Sequence, residues 1–155
     1  MDTTYLSLEG KIALITGGSR GIGKAIALTF ADAGADVVIA SRKLPDLEKV
    51  AEEIKAMGRN TLCIPTHAKK IEDLENLGNQ AMDAFGRIDV LVNNAATNPA
   101  MGPIVDTEES VYDHIIDTNL KGYFMMSKLV GKIMREQKSG NIINVSSAGG
   151  VSPAE

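Results

Sequence analysis

Four glycines, Gly17, Gly18, Gly21 and Gly23, fall within the stretch LITGGSRGIG at 14–23, directly after an apolar run. Glycine tolerates positive φ and lets another group approach the backbone closely. The run before the glycines reads as a strand. The residues from about Ile22 onward read as a helix, whose first N–H groups lack partners and carry the positive end of the helix dipole. Such a turn, with Ser19, Arg20 and Ile22 between the glycines, suits an anion of the pyrophosphate kind. The spacing is G-x-x-x-G-x-G. It is not G-x-G-x-x-G, and no G-K-[ST] follows to make a nucleotide P-loop. Glycines also serve tight strand–helix turns that bind nothing, so the meaning of this loop depends on what surrounds it.

The elements that must position it are legible along the chain. KIALIT at 11–16, DVVIAS at 36–41, TLCIPT at 61–66, DVLVNN at 89–94 and NIINVS at 141–146 are apolar runs, continuous rather than alternating. That pattern predicts strands buried on both faces. Between them lie helical patterns. In 45–57, Leu47, Val50, Ala51, Ile54 and Met57 share one face, with Pro45 in the first turn and Gly58 at the end. In 71–85, Ile71, Leu74, Ala81, Met82 and Phe85 form a second stripe, closed by Gly86. Asp106 or Thr107 is the expected cap of a helix over 107–117. The stretch 120–136 is apolar over much of its surface and is expected to pack against more than one neighbour. Strand–helix–strand repetition predicts an α/β domain: a doubly wound parallel sheet of the Rossmann type, helices on both faces, with about five strands. The polar strand ends Thr16, Ser41, Thr66, Asn94 and Ser147 are then expected along one edge, where such sheets bind ligands.

Composition narrows the function. The 155 residues allow one domain with a real core, and no linker or low-complexity segment divides them. A formal net charge of −4 without any basic block argues against nucleic acid as the partner and against a membrane surface. No apolar run is long enough to span a bilayer, and MDTTYLSLEG lacks the features of a signal peptide. Cys63 is the single cysteine, so no internal disulfide forms, and a reducing, cytoplasmic compartment fits. One cysteine and two histidines, with His114 far from Cys63 and His67, do not make up a metal-ligand set, which argues against a structural metal site. Cys63 is expected in a buried strand, His114 on a solvated helix face, and Met125 and Met126 in packing or a subunit interface.

TGGSRGIG at 16–23, NNAA at 93–96, DTNLKG at 117–122 and INVSS at 143–147 occur in one order. In this combination the chain resembles the short-chain dehydrogenase/reductase family, and the resemblance spans essentially all of it. HAKKIEDL and NNAATNP are similar to the carbonyl and alcohol reductases near its peroxisomal carbonyl/retinal reductase branch. The resemblance implies a single dinucleotide-binding domain over 1–155, the N-terminal part of a longer fold, and an oxidoreductase that moves hydride between NADP(H) and a ketone, aldehyde or secondary alcohol. A small molecule is the expected substrate, and a homodimer or homotetramer the expected assembly. A peroxisomal location would require a targeting signal beyond Glu155.

The residue after the second strand separates the two nicotinamide cofactors. An acid there would bond the adenosine ribose and repel a 2′-phosphate. Ser41, Arg42 and Lys43 stand there instead. Arg42 can grip a phosphate in bidentate fashion, Lys43 adds charge, and Arg20 approaches from the glycine loop. NADP(H) is therefore the preferred cofactor, with NAD(H) the alternative. Arg42 and Lys43 also suit an ordinary exposed strand end. The family places an Asp and an apolar residue against the adenine after strand three. Here His67 and Ala68 stand at those positions. His67 can stack on or bond the base while the Ala68 backbone keeps its role, or His67 is a solvated strand-end residue. Asn94 and Ala95 match the segment that contacts the ribose near the nicotinamide.

For catalysis, the resemblance implies that Ser147 bonds the substrate oxygen and that Asn119 holds a relay water. It also implies a Tyr-x-x-x-Lys pair downstream of Ser147. Tyr5, Tyr112 and Tyr123 do not supply it: Tyr112 is followed four residues later by Ile116, and Tyr123 by Ser127. The pair is expected beyond Glu155. The strand at 141–146 is then expected to form an apolar sheet edge, and the chain alone to be poorly soluble or to swap into oligomers. Two rival readings stand beside the reductase. One is a non-catalytic dinucleotide-binding or redox-sensing module. The other is a 3-oxoacyl-carrier-protein reductase, which would want a basic docking patch beside the cleft.

Overall fold

The computed structural model describes residues 7–99 and 102–150. Five parallel strands form one sheet in the order β3-β2-β1-β4-β5. They are β1 (Ile12–Thr16), β2 (Asp36–Ser41), β3 (Thr61–Pro65), β4 (Val90–Asn93) and β5 (Asn141–Asn144). The helices are α1 (Gly21–Asp32), α2 (Leu44–Ala56), α3 (Ile71–Phe85), α4 (Glu109–Ile116) and α5 (Gly122–Gln137). α4 runs into α5 through one π-helical turn, Asp117–Lys121.

The period of two along each strand divides the core between the two faces. Leu14, Val38 and Leu91 point to one side, where Leu74, Leu77 and Ala81 of α3 meet Met126, Val130 and Met134 of α5. Ala13, Ile15, Val37, Ile39 and Val92 point to the other, against Ala27 and Ala31 of α1 and Leu47, Val50 and Ile54 of α2. Each fully buried Leu or Ile stabilises the fold by roughly 1.5–3 kcal/mol, so these two layers dominate the energetics. The N-terminal end of the sheet is closed by Asp89. Its carboxylate accepts from the Ile12 N–H at 3.0 Å and from Arg87 Nε and Nη2 at 2.9 and 2.6 Å.

Several expectations are corrected. Burial on both faces holds for β1, β2 and β4 but not for the edges. In β3 only Ile64 is fully buried, Cys63 is half-buried rather than core, and all four residues of β5 are exposed. The apolar edge expected at 141–146 is present, with Ile143 43% exposed. Neither Asp106 nor Thr107 caps α4. The cap position is Glu108, whose side chain makes no capping bond, while the Thr107 hydroxyl donates to the Pro103 carbonyl. His114 is half-buried rather than fully solvated.

Candidate functional site

The order of connection reverses between β1 and β4, which opens a crevice at the C-terminal ends of those strands. Thr16 ends β1 and is the hub of that crevice. Its hydroxyl donates to the Val92 carbonyl at 3.4 Å and accepts the N–H groups of Asn94 and Ala95 at 3.0 and 3.1 Å. The Asn94 side-chain amide donates to the Thr16 and Gly17 carbonyls at 2.9 and 3.2 Å. The loop after β4 is thereby tied to the glycine turn after β1.

Three of the four glycines are required by the protein itself. A Cβ on Gly17 would lie 2.8 Å from Asn94 Nδ2, and one on Gly18 2.9 Å from the Ile39 side chain. A Cβ on Gly23 would overlap the Gly17 carbonyl and the Asn94 amide. Gly21 differs: its φ is +54° and nothing lies within 4 Å of where a Cβ would be. It opens α1 toward the crevice. Arg20 occupies the cap position without a capping bond, and the N–H groups of Gly21, Ile22 and Gly23 have no acceptor among the described residues. These donors, the dipole end of a 12-residue helix and an open approach at Gly21 fit a diphosphate.

The neighbouring strand ends supply the rest. Ser41 closes β2, and its hydroxyl oxygen is buried without a partner. Arg42 and Lys43 follow it and are exposed. The β2–β3 register, Ser41 opposite Pro65, continues with the Thr66 N–H donating to the Ser41 carbonyl at 2.9 Å. His67 therefore lies beside Arg42. Its own N–H donates to Asp73 Oδ2 at 2.8 Å, and its ring Nδ1 is buried without a partner. Burial pushes the His67 imidazole below its usual value, and Lys69, Arg42 and Lys70 push the same way against Asp73. The Ala68 carbonyl lies 2.5 Å from where a Cβ on Gly122 would be, so α5 begins with a glycine where it crosses this loop.

On the other side of the crevice, Asn119 sits inside the π turn and clamps Thr97. Its Oδ1 accepts the Thr97 N–H, and its Nδ2 donates to the Thr97 carbonyl, both at 2.9 Å. Ser147 lies past β5, exposed, with its hydroxyl accepting the Gly149 N–H at 3.1 Å. Two polar groups were not singled out from sequence. In the sequence Thr16 stands out only as a polar strand end. Asn93, buried at the end of β4, donates to Ser127 of α5 and Asn144 of β5, both at 2.9 Å. A buried polar residue closing an apolar strand was the available signal for both.

The family model for short chain dehydrogenases matches residues 11–155. The chain belongs to the short-chain dehydrogenase family. Dehydrogenase/reductase SDR family member 4 of Sus scrofa is 38% identical over 146 residues, covering 94% of this chain and 52% of the relative. The chain thus spans about half the length of the curated relatives it matches. A metagenomic short-chain oxidoreductase solved in complex with NADP superposes with a TM-score of 0.90 at 35% identity, covering 95% of this chain and 66% of that one. An NAD+-bound xylitol dehydrogenase superposes with a TM-score of 0.91 at 28% identity, covering 94% and 56%. These similarities agree with the five-stranded Rossmann-type sheet and make the family's cofactor a nicotinamide dinucleotide, phosphorylated or not. Among the described residues, no three of His, Cys, Asp and Glu group to hold a metal, and no helix is long and apolar enough to cross a membrane.

Proposed function

We propose that this chain is the dinucleotide-binding part of an oxidoreductase that transfers hydride between NADP(H) and a small carbonyl or secondary alcohol. The cofactor supplies the hydride when bound. The chain's own residues bind and orient it. The N–H groups of Ser19 to Gly23 take the diphosphate. Ser41, Arg42 and Lys43 take the 2′-phosphate, with Arg20 on the opposite side. His67 and Ala68 flank the base, and Asn94 and Ala95 border the nicotinamide ribose. Ser147 holds the substrate oxygen, and Asn119 positions water for the proton that the oxygen must gain. We place the reaction in a homodimer or homotetramer in the cytoplasm. The exposed Tyr112 of α4, Leu120 of the π turn and Phe124 of α5 support association.

One observation carries the preference for the phosphorylated cofactor. At the end of β2 a buried, unpartnered Ser41 hydroxyl is followed by exposed Arg42 and Lys43, with no carboxylate in the place that would repel a phosphate. Calorimetric titration with NADPH and NADH tests it. NADPH is expected to bind at least tenfold more tightly, and Arg42→Asp is expected to erase that advantage. Equal affinities in the unsubstituted protein, or a preference that survives Arg42→Asp, would contradict the reading.

A further inference from the structure

The charged residues of α4 and α5 are sorted by sign along one exposed stripe. The buried residues of α5 are Gly122, Met126, Val130 and Met134. Phe124, Lys128 and Lys132 fall midway between them, so they point away from the core and are exposed. Leu120 of the π turn and Tyr112 of α4 are exposed as well, at 63% and 60%. α4 carries Glu109 and Asp113 but no lysine or arginine, whereas the only acid on α5 is Glu136. Glu109, Asp113, Lys128 and Lys132 are all exposed, and none has an ion-pair partner among the described residues. The stripe thus has an acidic end, an apolar middle and a basic end. Helix dipoles account for acids at a helix start and bases at a helix end. They do not account for the large apolar side chains exposed between the two ends.

We propose that this stripe is a self-complementary interface, on which a second copy of the chain lies antiparallel about a two-fold axis between Leu120 and Lys121. A two-fold contact sets a surface patch against the same patch of its partner. Asp113 and Lys128 are equally distant in sequence from that axis, and so are Glu109 and Lys132. Asp113 therefore meets Lys128 of the second copy, and Glu109 meets Lys132. Symmetry forms each pair twice. Leu120 and Phe124 flank the axis and supply the apolar contact. Lys121, beside the axis, is already paired with Asp117 at 3.2 Å, so the two copies do not bring bare like charges together there. A parallel arrangement would set acid on acid and base on base. The charges therefore select the orientation as well as the partner. This rests on the reading of an assembled enzyme given above and deepens it, by naming the surface and the residues that hold its register.

The test is sedimentation velocity of the full chain over a concentration series, at about 0.1 M salt, where charges are screened beyond about 10 Å. Circular dichroism and thermal melting verify that each variant is folded. The unsubstituted chain is expected to form dimers. Lys128→Glu with Lys132→Glu makes both ends of the stripe acidic. Glu109→Lys with Asp113→Lys makes both ends basic. Each double variant alone is expected to associate about tenfold more weakly than the unsubstituted chain, or worse. Mixing the two separates a charge code from mere disruption. Their equimolar mixture is expected to dimerise at least as tightly as the unsubstituted chain, because every acid then meets a base. The proposal is overturned if the unsubstituted chain stays monomeric, if the double variants associate as it does, or if the mixture stays monomeric. The two readings fail differently. Association indifferent to the four charges removes this surface, points to another contact such as the exposed β5 edge, and leaves the reading of an assembled enzyme standing. A monomer throughout the series removes both.

Discussion

The two sides of the crevice hold their polar residues in opposite ways. Around β1, five hydrogen bonds join Thr16, Gly17, Val92, Asn94 and Ala95, and the groups that make them are buried or half-buried. Around β5, Ser147 is exposed, its hydroxyl bonded within the described residues to Gly149 alone, and Ile142 and Ile143 of the strand face solvent. The glycine turn is therefore preorganised by distant parts of the chain. A diphosphate bound as proposed would find donors already aimed and little left to order. β5 is tied to β4 by its ladder and by the Asn93–Asn144 bond, and the Tyr123 hydroxyl donates to the Val145 carbonyl, whereas the Ser147 hydroxyl beyond it has only the local Gly149 bond among the described residues. The polar residues at the ends of β1 and β4 are thus fixed within the core, and the Ser147 side chain lies exposed beyond β5.

That contrast can be broken from the cofactor side, and the largest effect belongs to Gly23. Gly23→Ala places a methyl against the Gly17 carbonyl and the Asn94 amide, neither of which can move without breaking the network. It is expected to destabilise the fold by about 3 kcal/mol in urea unfolding. Gly21→Ala, two residues away in open space, is expected to cost only about 1 kcal/mol, because its penalty is the positive φ alone. Equal costs would mean that the turn is not packed as described.

Asp89 comes next, at the opposite end of the sheet. With its side chain 5% exposed, it accepts from Ile12 and Arg87, and Asp89→Ala is expected to cost about 2 kcal/mol. Burial by itself would raise its pKa. The Arg87 hydrogen bonds, the Ile12 amide and the charges of Arg87 and Lys11 outweigh burial and hold the carboxyl below the usual range. Its stabilisation is therefore complete above the unfolded-state value, roughly 4, and is lost as the pH falls through the folded value. The melting temperature of the unsubstituted protein is expected to drop more steeply below about pH 4 than that of Asp89→Asn. A smaller effect sharpens the comparison. Thr16→Val keeps the shape but removes the acceptor for the N–H groups of Asn94 and Ala95, at about 1.5 kcal/mol. Ser147→Ala, on the exposed side, is expected to leave stability unchanged within about 0.5 kcal/mol.

Much of this arrangement was legible in the sequence. The apolar runs gave all five strands, and the Leu47–Val50–Ile54 and Leu74–Ala81 stripes gave the faces of α2 and α3, because burial imposes a period the chain cannot hide. What escaped reading depends on contacts distant in sequence. β3 reads like a central strand because Leu62 and Cys63 carry no mark of lying at an edge, whereas the apolar edge at 141–146 is among the expectations. The π turn at Asp117–Lys121 has no composition of its own. It coincides with the places where Asn119 clamps Thr97 and Gly122 crosses the Ala68 carbonyl. The glycine motif pointed to a ligand, yet Gly17, Gly18 and Gly23 answer to Asn94, Ala95, Ile39 and one another, and Gly21 alone faces open space. Sequence spacing named the residues of the candidate site but not which of them the protein needs for itself.

The central claim is that a dinucleotide's diphosphate rests on the backbone amides that open α1. Titrating 15N-labelled protein with NADP+ and following its amide resonances tests this most directly. The account expects the largest shifts at Ser19 to Gly23, a second group at Ser41 to Lys43, and little change along β5. Saturable binding that leaves the amides of Gly21, Ile22 and Gly23 where they were would contradict it.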